Sequence, residues 1–332
     1  MLQAKLGLRP GSVPAEASQH QPAPRALLAE IEAAYVSPFG PGSLPSRPRT
    51  LKSPPNFMLL VSHGAACDSF PIVAHAYHRL AEEGVPPTVL IIGTNHRCLG
   101  AHIALSRRPW RSPLGTSQVD TELLQSFLDS GYVVDEQGHA AEHSIENQLP
   151  FLQHLAPEVR ILALGLAQLS FAEAQNLARD VARITADRNV LILATTDYLH
   201  AGEGYYDQPP RGLHLHEFIR QRDAPVLAAV AALDSELLLR TAGATGMCGL
   251  WPAVVLLLTA RQLGFTECQL LKYAVSGEVS DSHSETSEEQ HWIDDAFEHF
   301  VQKVHPSCKK WVSRKLEVYE AGFSLHRYWR RH

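Results

Sequence analysis

The sequence predicts a single α/β domain with a mostly parallel central sheet and helices on both faces. Segments typical of strands alternate along the chain with segments typical of helices, which is the order in which parallel sheets are built. The strand segments are also continuously apolar, as in VLII at residues 89–92. Strands buried on both faces have this composition, whereas half-exposed strands alternate apolar and polar residues.

The individual elements follow from apolar runs and from the residues that begin and end them. The predicted strands are residues 57–64, 88–96, 159–167, 189–198 and 268–277. The predicted helices are residues 23–36, 71–84, 120–131, 170–188, 216–242 and 251–265, the fifth of them broken at Pro225. Pro71 suits a first helical turn, while Asp120 and Ser170 are typical N-cap residues.

Composition divides the chain into three parts. Residues 1–56 are rich in proline, serine and glycine and predict an N-terminal arm with one helix and a Pro-rich linker. Residues 57–305 hold the α/β alternation and predict the domain itself. Residues 306–332 are basic and rich in aromatic residues. We expect these aromatic side chains to pack on the domain or on a second subunit of a homo-oligomer, because exposed aromatic clusters are costly. The alternative is that the segment binds an anionic partner or a membrane surface.

The bulk numbers exclude several classes of protein. The formal net charge of −6 gives no indication of a nucleic-acid partner. The apolar runs are far shorter than the ~20 residues that a transmembrane helix needs, so no transmembrane segment is expected. The five cysteines are odd in number and scattered, which is typical of a reduced chain and predicts a cytoplasmic location.

Three of the predicted strands end in residues able to bind a metal or carry a proton. His63 and His96 follow two of them, and Asp197 and His200 follow a third. Neighbouring parallel strands lie ~4.8 Å apart, so two such histidines could share one metal ion. The alternative is that each histidine is an ordinary loop residue or hydrogen-bonded cap.

Two further segments carry reactive side chains outside the strands. EHSIENQLP places His143 between Glu142 and Glu146; the alternative is a capping box built on Ser144. TGMCGLWP places Cys248 between two glycines before a predicted helix, where a thiol pKa is lowered. The alternative for Cys248 is a small buried core residue.

Several motifs in order resemble those of the Memo family. The motifs are VSHGAACDSFPIVAHAYHRL, GTNHRCLGAHIALS, RSPLGTSQVD, EHSIENQLPFL, ATTDYLHAGEGYY, MCGLWPAVVLLL and KYAVSGEVS. The resemblance implies a fold similar to that of class III extradiol ring-cleavage dioxygenases, which use non-heme Fe(II). It implies a metal site of His63, His96 and Cys248. Asp197 and His200 match a motif beside that site, and His143 matches a histidine on the substrate side.

Two functions are compatible with these residues. The first is a metal-dependent redox enzyme of the oxygenase or dioxygenase type, in which iron(II), or else copper, acts on a small organic substrate. In that enzyme His143 or His200 moves a proton and Asp197 orients a histidine. The alternative is a non-catalytic binding or adaptor protein with a vestigial metal pocket. Retention of the histidines and the cysteine favours the enzyme.

Overall fold

The fold is described by a computed structural model of the chain. The structure describes residues 23–279 except residues 47, 54, 56, 141, 203, 204, 206 and 244. The basic aromatic segment 306–332, residues 280–305 of the predicted domain and the first 22 residues lie outside the described residues, so the predictions made for them stay predictions. Within the described part, no helix is long and apolar enough to cross a membrane.

A six-stranded sheet forms the centre of the molecule. The strands of the structure are β1 (Leu59–Val61), β2 (Thr88–Thr94), β3 (Ile103–Leu105), β4 (Trp110–Ser112), β5 (Gly115–Ser117), β6 (Val133–Val134), β7 (Arg160–Leu166) and β8 (Val190–Thr195). The order in the large sheet is β1-β8-β2-β7-β3-β6, and β4 pairs with β5 in a separate hairpin. All neighbours in the large sheet are parallel except β3 and β7, which are antiparallel. The predicted mostly parallel sheet is therefore confirmed.

Helices cover both faces of this sheet. They are α1 (Pro24–Val36), α2 (Ala66–Glu83), α3 (Thr121–Asp129), α4 (Leu149–Leu155), α5 (Phe171–Thr185), α6 (Leu215–Ala231), α7 (Ser235–Ala242), α8 (Leu250–Gln262) and α9 (Ser276–Val279). Alternate residues of β2 belong to two separate apolar cores. Leu90 and Ile92 share one core with residues of α3, α5 and α8. Val89 and Ile91 share the other with residues of α1, α2 and α4. This two-sided burial explains why the strand segments are apolar throughout.

The N-terminal helix α1 is part of the second core. Its side chains Leu27, Ile31 and Tyr35 are fully buried and belong to the same apolar cluster as residues of α2 and α4. The segment predicted as a helix in an N-terminal arm therefore packs directly on the α/β unit.

The predicted N-cap residues Asp120 and Ser170 are confirmed. The Asp120 carboxylate accepts a hydrogen bond from the backbone N–H of Leu123. Ser170 and Glu173 form a reciprocal capping box at the start of α5. Both bonds satisfy backbone N–H groups that have no partner within the helix.

Other element predictions were wrong. The segment 268–277 is not a strand, and it is held by side chains, since the Tyr273 hydroxyl donates to the carboxylate of Asp223 at 2.7 Å. Pro225 does not break its helix: α6 runs to Ala231, and the chain turns at Leu233, whose φ is 51°. The second predicted helix begins at Ala66, five residues before Pro71.

Candidate metal centre

The carboxyl ends of β1, β8 and β2 bring three of the predicted residues to one edge of the sheet. His63 and Asp197 each follow the last residue of their strand by two positions, and those last residues, Val61 and Thr195, are partners in register. His96 follows Thr94 of β2, which also pairs with β8. Ligand sites of open α/β sheets lie at this edge.

Cys248 reaches the same edge from the start of α8. Its backbone N–H donates to the carbonyl of Asp197 at 3.2 Å, and its own carbonyl accepts from the Thr94 hydroxyl at 3.2 Å. Gly249 makes this approach possible, since a Cβ there would overlap the backbone of Thr195 and Thr196. A glycine beside the cysteine is therefore required by close packing of α8 on the strand ends.

His63, His96 and Cys248 form a compact group of metal-binding atoms. Their ligand atoms all lie within 4.8 Å of one another, and the His63 Nε2 atom is 3.1 Å from the Cys248 Sγ atom. The centres of the two imidazole rings are 5.1 Å apart. Metal–nitrogen and metal–sulfur bonds are about 2.1 and 2.3 Å long, so the group is close to the size that one ion requires.

His63 is held from two sides. Its Nδ1 atom is hydrogen-bonded to the Thr195 hydroxyl at 2.9 Å, which leaves Nε2 toward Cys248. The Asp197 carboxylate accepts hydrogen bonds from the backbone N–H groups of His63 and Gly64, at 2.9 and 3.1 Å, and from the Ser62 hydroxyl. Asp197 thus fixes the backbone that carries His63, while Thr195 orients the ring.

His96 is held by a buried carboxylate. Its Nδ1 atom donates to the Oε1 atom of Glu142 at 2.9 Å, and its backbone N–H donates to Oε2 at 2.8 Å. His143 stacks on the other side of the ring, with the two ring centres 4.6 Å apart and the planes 13° from parallel.

In the metal-free protein, neighbouring opposite charges shift the pKa of Cys248, of His96 and of two nearby carboxyl groups in the direction that favours the charged form. Burial alone raises the pKa of the Cys248 thiol, but the charge on His63 and hydrogen bonds from His63 and His96 outweigh it and lower the pKa to about 5. Burial opposes ionisation of Asp197 and Glu142, yet the charges of His63 and His96 hold the pKa of each carboxyl well below its usual range. Burial also disfavours charge on His96, but Glu142 and Cys248 raise its pKa well above the usual value.

His143 and His200 flank the group without belonging to it. Burial, together with the charge on His96, lowers the pKa of His143 to about 3, so its ring is neutral. The Nδ1 atom of His200 donates to the carbonyl of Gly246 at 3.1 Å. His200 has a ligand atom within 4.8 Å of those of Asp197 and Cys248. All six residues predicted for the site therefore lie at one edge of the sheet.

The segment 142–148 also holds the backbone near His63 and His96 through hydrogen bonds that the sequence did not indicate. The Ser144 hydroxyl does not cap its own helix; it donates to the carbonyl of Thr94 and accepts from the same residue's N–H, at 3.0 and 2.9 Å. The Asn147 carboxamide donates to the carbonyl of His63 at 2.8 Å, and that of Gln148 donates to the carbonyl of Ser62 at 3.0 Å. One segment therefore supports both histidine loops, through contacts that local spacing does not reveal.

The fold and the site together define an α/β protein with a histidine–histidine–cysteine group at the carboxyl edge of its sheet. The family model described as Memo-like protein matches residues 17–288. The chain belongs to the Memo family, as the ordered motifs indicated.

Curated relatives agree with this assignment. A MEMO1 family protein of Methanopyrus kandleri is 33% identical over 284 residues, which cover 82% of this chain and 94% of that protein. One of Methanothermobacter thermautotrophicus is 32% identical, over 79% of this chain and 91% of that protein. A solved structure of an uncharacterized Escherichia coli K12 protein shows 12% identity and a TM-score of 0.40, covering 63% of this chain and 88% of that one. That likeness is too weak to support an argument.

Proposed function

We propose that this protein is a metal-dependent redox enzyme that binds iron or copper through His63, His96 and Cys248 and acts on a small organic substrate. The observation that carries the proposal is the group itself, whose ligand atoms come from three distant parts of the chain and lie within 4.8 Å of one another. Each imidazole also has a buried partner on its other nitrogen, which is how proteins orient metal-binding histidines.

The donor set fits a redox metal. Imidazole nitrogens suit iron, copper and zinc, and a thiolate favours soft ions such as copper(I). Three protein ligands leave coordination positions for an exchangeable ligand, which is typical of catalytic sites, whereas structural zinc sites use four. When bound, an iron or copper ion supplies one-electron chemistry and polarises a bound oxygen atom.

Solvent access differs between the two histidines of the group, and the neighbouring His143 is also partly exposed. The His63 side chain is fully buried, while the side chains of His96 and His143 are 26% and 32% exposed. A small molecule can therefore approach the group from the side of His96 and His143. This direction of approach supports a compact organic substrate that lies beside His143.

Two histidines serve proton transfer in this proposal. His143 stacks on His96 beside the group, and in this proposal it exchanges a proton with a substrate hydroxyl that approaches from that side. His200 donates its Nδ1–H to Gly246, which leaves Nε2 as the atom that accepts or delivers a proton. Positioned histidines in such roles contribute about 10²–10⁴-fold to a rate.

Membership of the Memo family supports the same function. The family's fold is similar to that of class III extradiol ring-cleavage dioxygenases, which use non-heme Fe(II). The competing function is a binding or adaptor protein that uses the pocket without metal chemistry. The orienting partners of both imidazoles favour the enzyme, because an adaptor does not need them.

Oxygen uptake tests the proposal. Protein purified without oxygen is loaded with Fe(II) or Cu(I), desalted, and exposed to O₂ with ascorbate as the reductant. We expect the loaded wild-type protein to consume O₂, and His96→Ala and Cys248→Ala to lose this activity together with the metal. His143→Gln should keep the metal and slow the uptake of O₂ in the presence of a catechol probe. Wild-type protein that retains neither metal after desalting would favour the adaptor.

A further inference from the structure

Glu142 is a buried carboxylate that makes four hydrogen bonds around His96. The residue is 1% exposed. Its Oε1 atom accepts from the Nδ1 atom of His96 at 2.9 Å and from the backbone N–H groups of His143 and Ser144, each at 2.8 Å. Its Oε2 atom accepts from the backbone N–H of His96 at 2.8 Å. The carboxylate therefore links both the ring and the backbone of His96 to the segment that follows Glu142.

This arrangement determines which nitrogen of His96 is left for a metal. Because Nδ1 carries a proton that the carboxylate accepts, Nε2 is the atom that joins the group with His63 and Cys248. A carboxylate behind a metal-binding imidazole also raises its basicity.

His63 has a weaker partner in the equivalent place. Its Nδ1 atom is bonded to the neutral hydroxyl of Thr195 at 2.9 Å. Hydrogen bonds that involve an ionised group are roughly twice as strong as those between neutral groups. The two imidazoles of the group are thus unequal, and His96 is the one supported by charge.

We propose that Glu142 is a positioning residue that holds His96 with its Nε2 atom toward the metal and strengthens it as a ligand. This inference rests on the proposed metal site and adds a residue to it. Glutamine cannot replace Glu142 in this role, because four N–H donors converge on its two oxygens. The amide has one oxygen, so its NH₂ group would face a donor and push the His96 loop away.

Binding of Co(II) to the full chain tests the role. Co(II) serves as a coloured probe whose affinity and absorption spectrum report the ligands directly. We expect Glu142→Gln to weaken Co(II) binding by about 10–100-fold, the usual effect of losing such a partner, and to change the spectrum. Thr195→Val should weaken binding less, because it removes a neutral partner.

Asp120→Asn is the matched control. Asp120 is 6% exposed and accepts hydrogen bonds from Thr88 and from the backbone of Leu123. It lies beside Thr88, the first residue of β2, at the edge of the sheet opposite the site. We expect its substitution to lower the melting temperature and leave the Co(II) affinity and spectrum unchanged.

The outcomes separate this inference from the proposed function. Wild-type protein that binds none of Co(II), Fe(II) and Cu(I) would overturn both. Wild-type protein that binds Co(II), with an unchanged affinity and spectrum in Glu142→Gln, would overturn the role of Glu142 alone.

A second measurement covers the case in which Glu142→Gln does not fold. Proton NMR of the Co(II)-loaded wild-type protein should show a strongly shifted, slowly exchanging N–H signal from His96 that persists in Thr195→Val. Absence of that signal would also overturn the role.

Discussion

The Nε2 atom of His63 lies 3.1 Å from the Sγ atom of Cys248, although 185 positions separate the two residues. The contact depends on the parallel arrangement of β1 and β8 and on the close approach of α8 to the ends of those strands. It connects the fold to the site, because each partner changes the charge of the other.

The first prediction concerns the thiol of Cys248 in metal-free protein. Its pKa of about 5 means that the thiolate is already formed at neutral pH. We expect its rate of alkylation by iodoacetamide to be nearly constant between about pH 6.5 and 8. The alkylation rate of an ordinary thiol, with a pKa near 8.5, rises about tenfold for each unit by which the pH increases in this range.

Mass spectrometry of tryptic peptides measures this rate at a single cysteine. Cys248 is the only cysteine in the peptide of residues 241–261, and the exposed Cys67 lies in a different peptide. A tenfold rise per pH unit at Cys248 would contradict its low pKa.

A second prediction concerns Gly249. A Cβ at this position would overlap backbone atoms of Thr195 and Thr196, which cannot rotate away as a side chain can. We expect Gly249→Ala to move α8 outward, to lower the free energy of unfolding by about 1–3 kcal/mol, and to weaken metal binding. Urea denaturation and Co(II) titration measure the two effects.

Gly115→Ala is the control for that substitution. Nothing lies within 4 Å of a Cβ added at Gly115, so we expect the stability and the metal affinity to stay close to those of the wild type. Equal behaviour of the two alanine variants would show that close packing at Gly249 does not determine the site.

The third prediction concerns Asp197, which holds the backbone of His63. Its carboxylate accepts hydrogen bonds from the N–H groups of His63 and Gly64. Hydrogen bonds to a charged group contribute about 1.5–3 kcal/mol. We expect Asp197→Asn to lower the free energy of unfolding by an amount in this range, measured by urea denaturation at pH 7. Asp187→Asn, at an exposed position, should change stability by no more than about 0.5 kcal/mol.

The difference in the free energy of unfolding between the wild type and Asp197→Asn should become smaller in acid. Because the folded-state pKa of Asp197 is lowered, its stabilisation is complete above the unfolded pKa near 4 and declines as the pH falls below that value. We therefore expect the difference in the free energy of unfolding between the wild type and Asp197→Asn to shrink as the pH falls below about 4. A difference that is constant with pH would mean that the charge of Asp197 is not the source of stability.

Much of the sheet could be predicted because its central strands are buried on both faces. The runs before His63, His96 and Asp197 are apolar and end in polar residues, and parallel pairing then places the three ends together. The strand β3 could not be predicted in this way, since Ile103–Leu105 is only three residues long. Its antiparallel pairing with β7 is decided by contacts far along the chain.

The segment 268–277 shows where apolar composition misleads. The sequence predicts that Leu270 and Leu271 belong to a strand, but in the structure they are 57% and 38% exposed. Their neighbours hold the segment by other means: Lys272 lies over the ring of Phe39 at 5.8 Å, and Tyr273 bonds to Asp223. A short apolar run forms a strand only where a neighbouring strand is available to pair with it.

Glu142 is the clearest residue that sequence spacing missed. In the sequence it stands only as a carboxylate next to His143, in a segment that also fits a capping box. Its partner His96 lies 46 positions earlier, and no local pattern reveals a hydrogen bond over that distance. Thr195 was missed for the same reason, because its bond to His63 spans 132 positions.

The fourth prediction tests the central claim, that His63, His96 and Cys248 bind one metal ion together. Protein is purified without oxygen, desalted, and analysed for bound metal by mass spectrometry of the elements. Wild-type protein and three single variants, His63→Ala, His96→Ala and Cys248→Ala, are compared with His75→Ala. His75 lies on α2, away from the group, and its ring bonds to the carbonyl of Phe39.

We expect the wild type and His75→Ala to retain stoichiometric iron or copper and each of the three variants to lose most of it. Retention of the same amount of metal in the three variants as in His75→Ala would contradict the shared site.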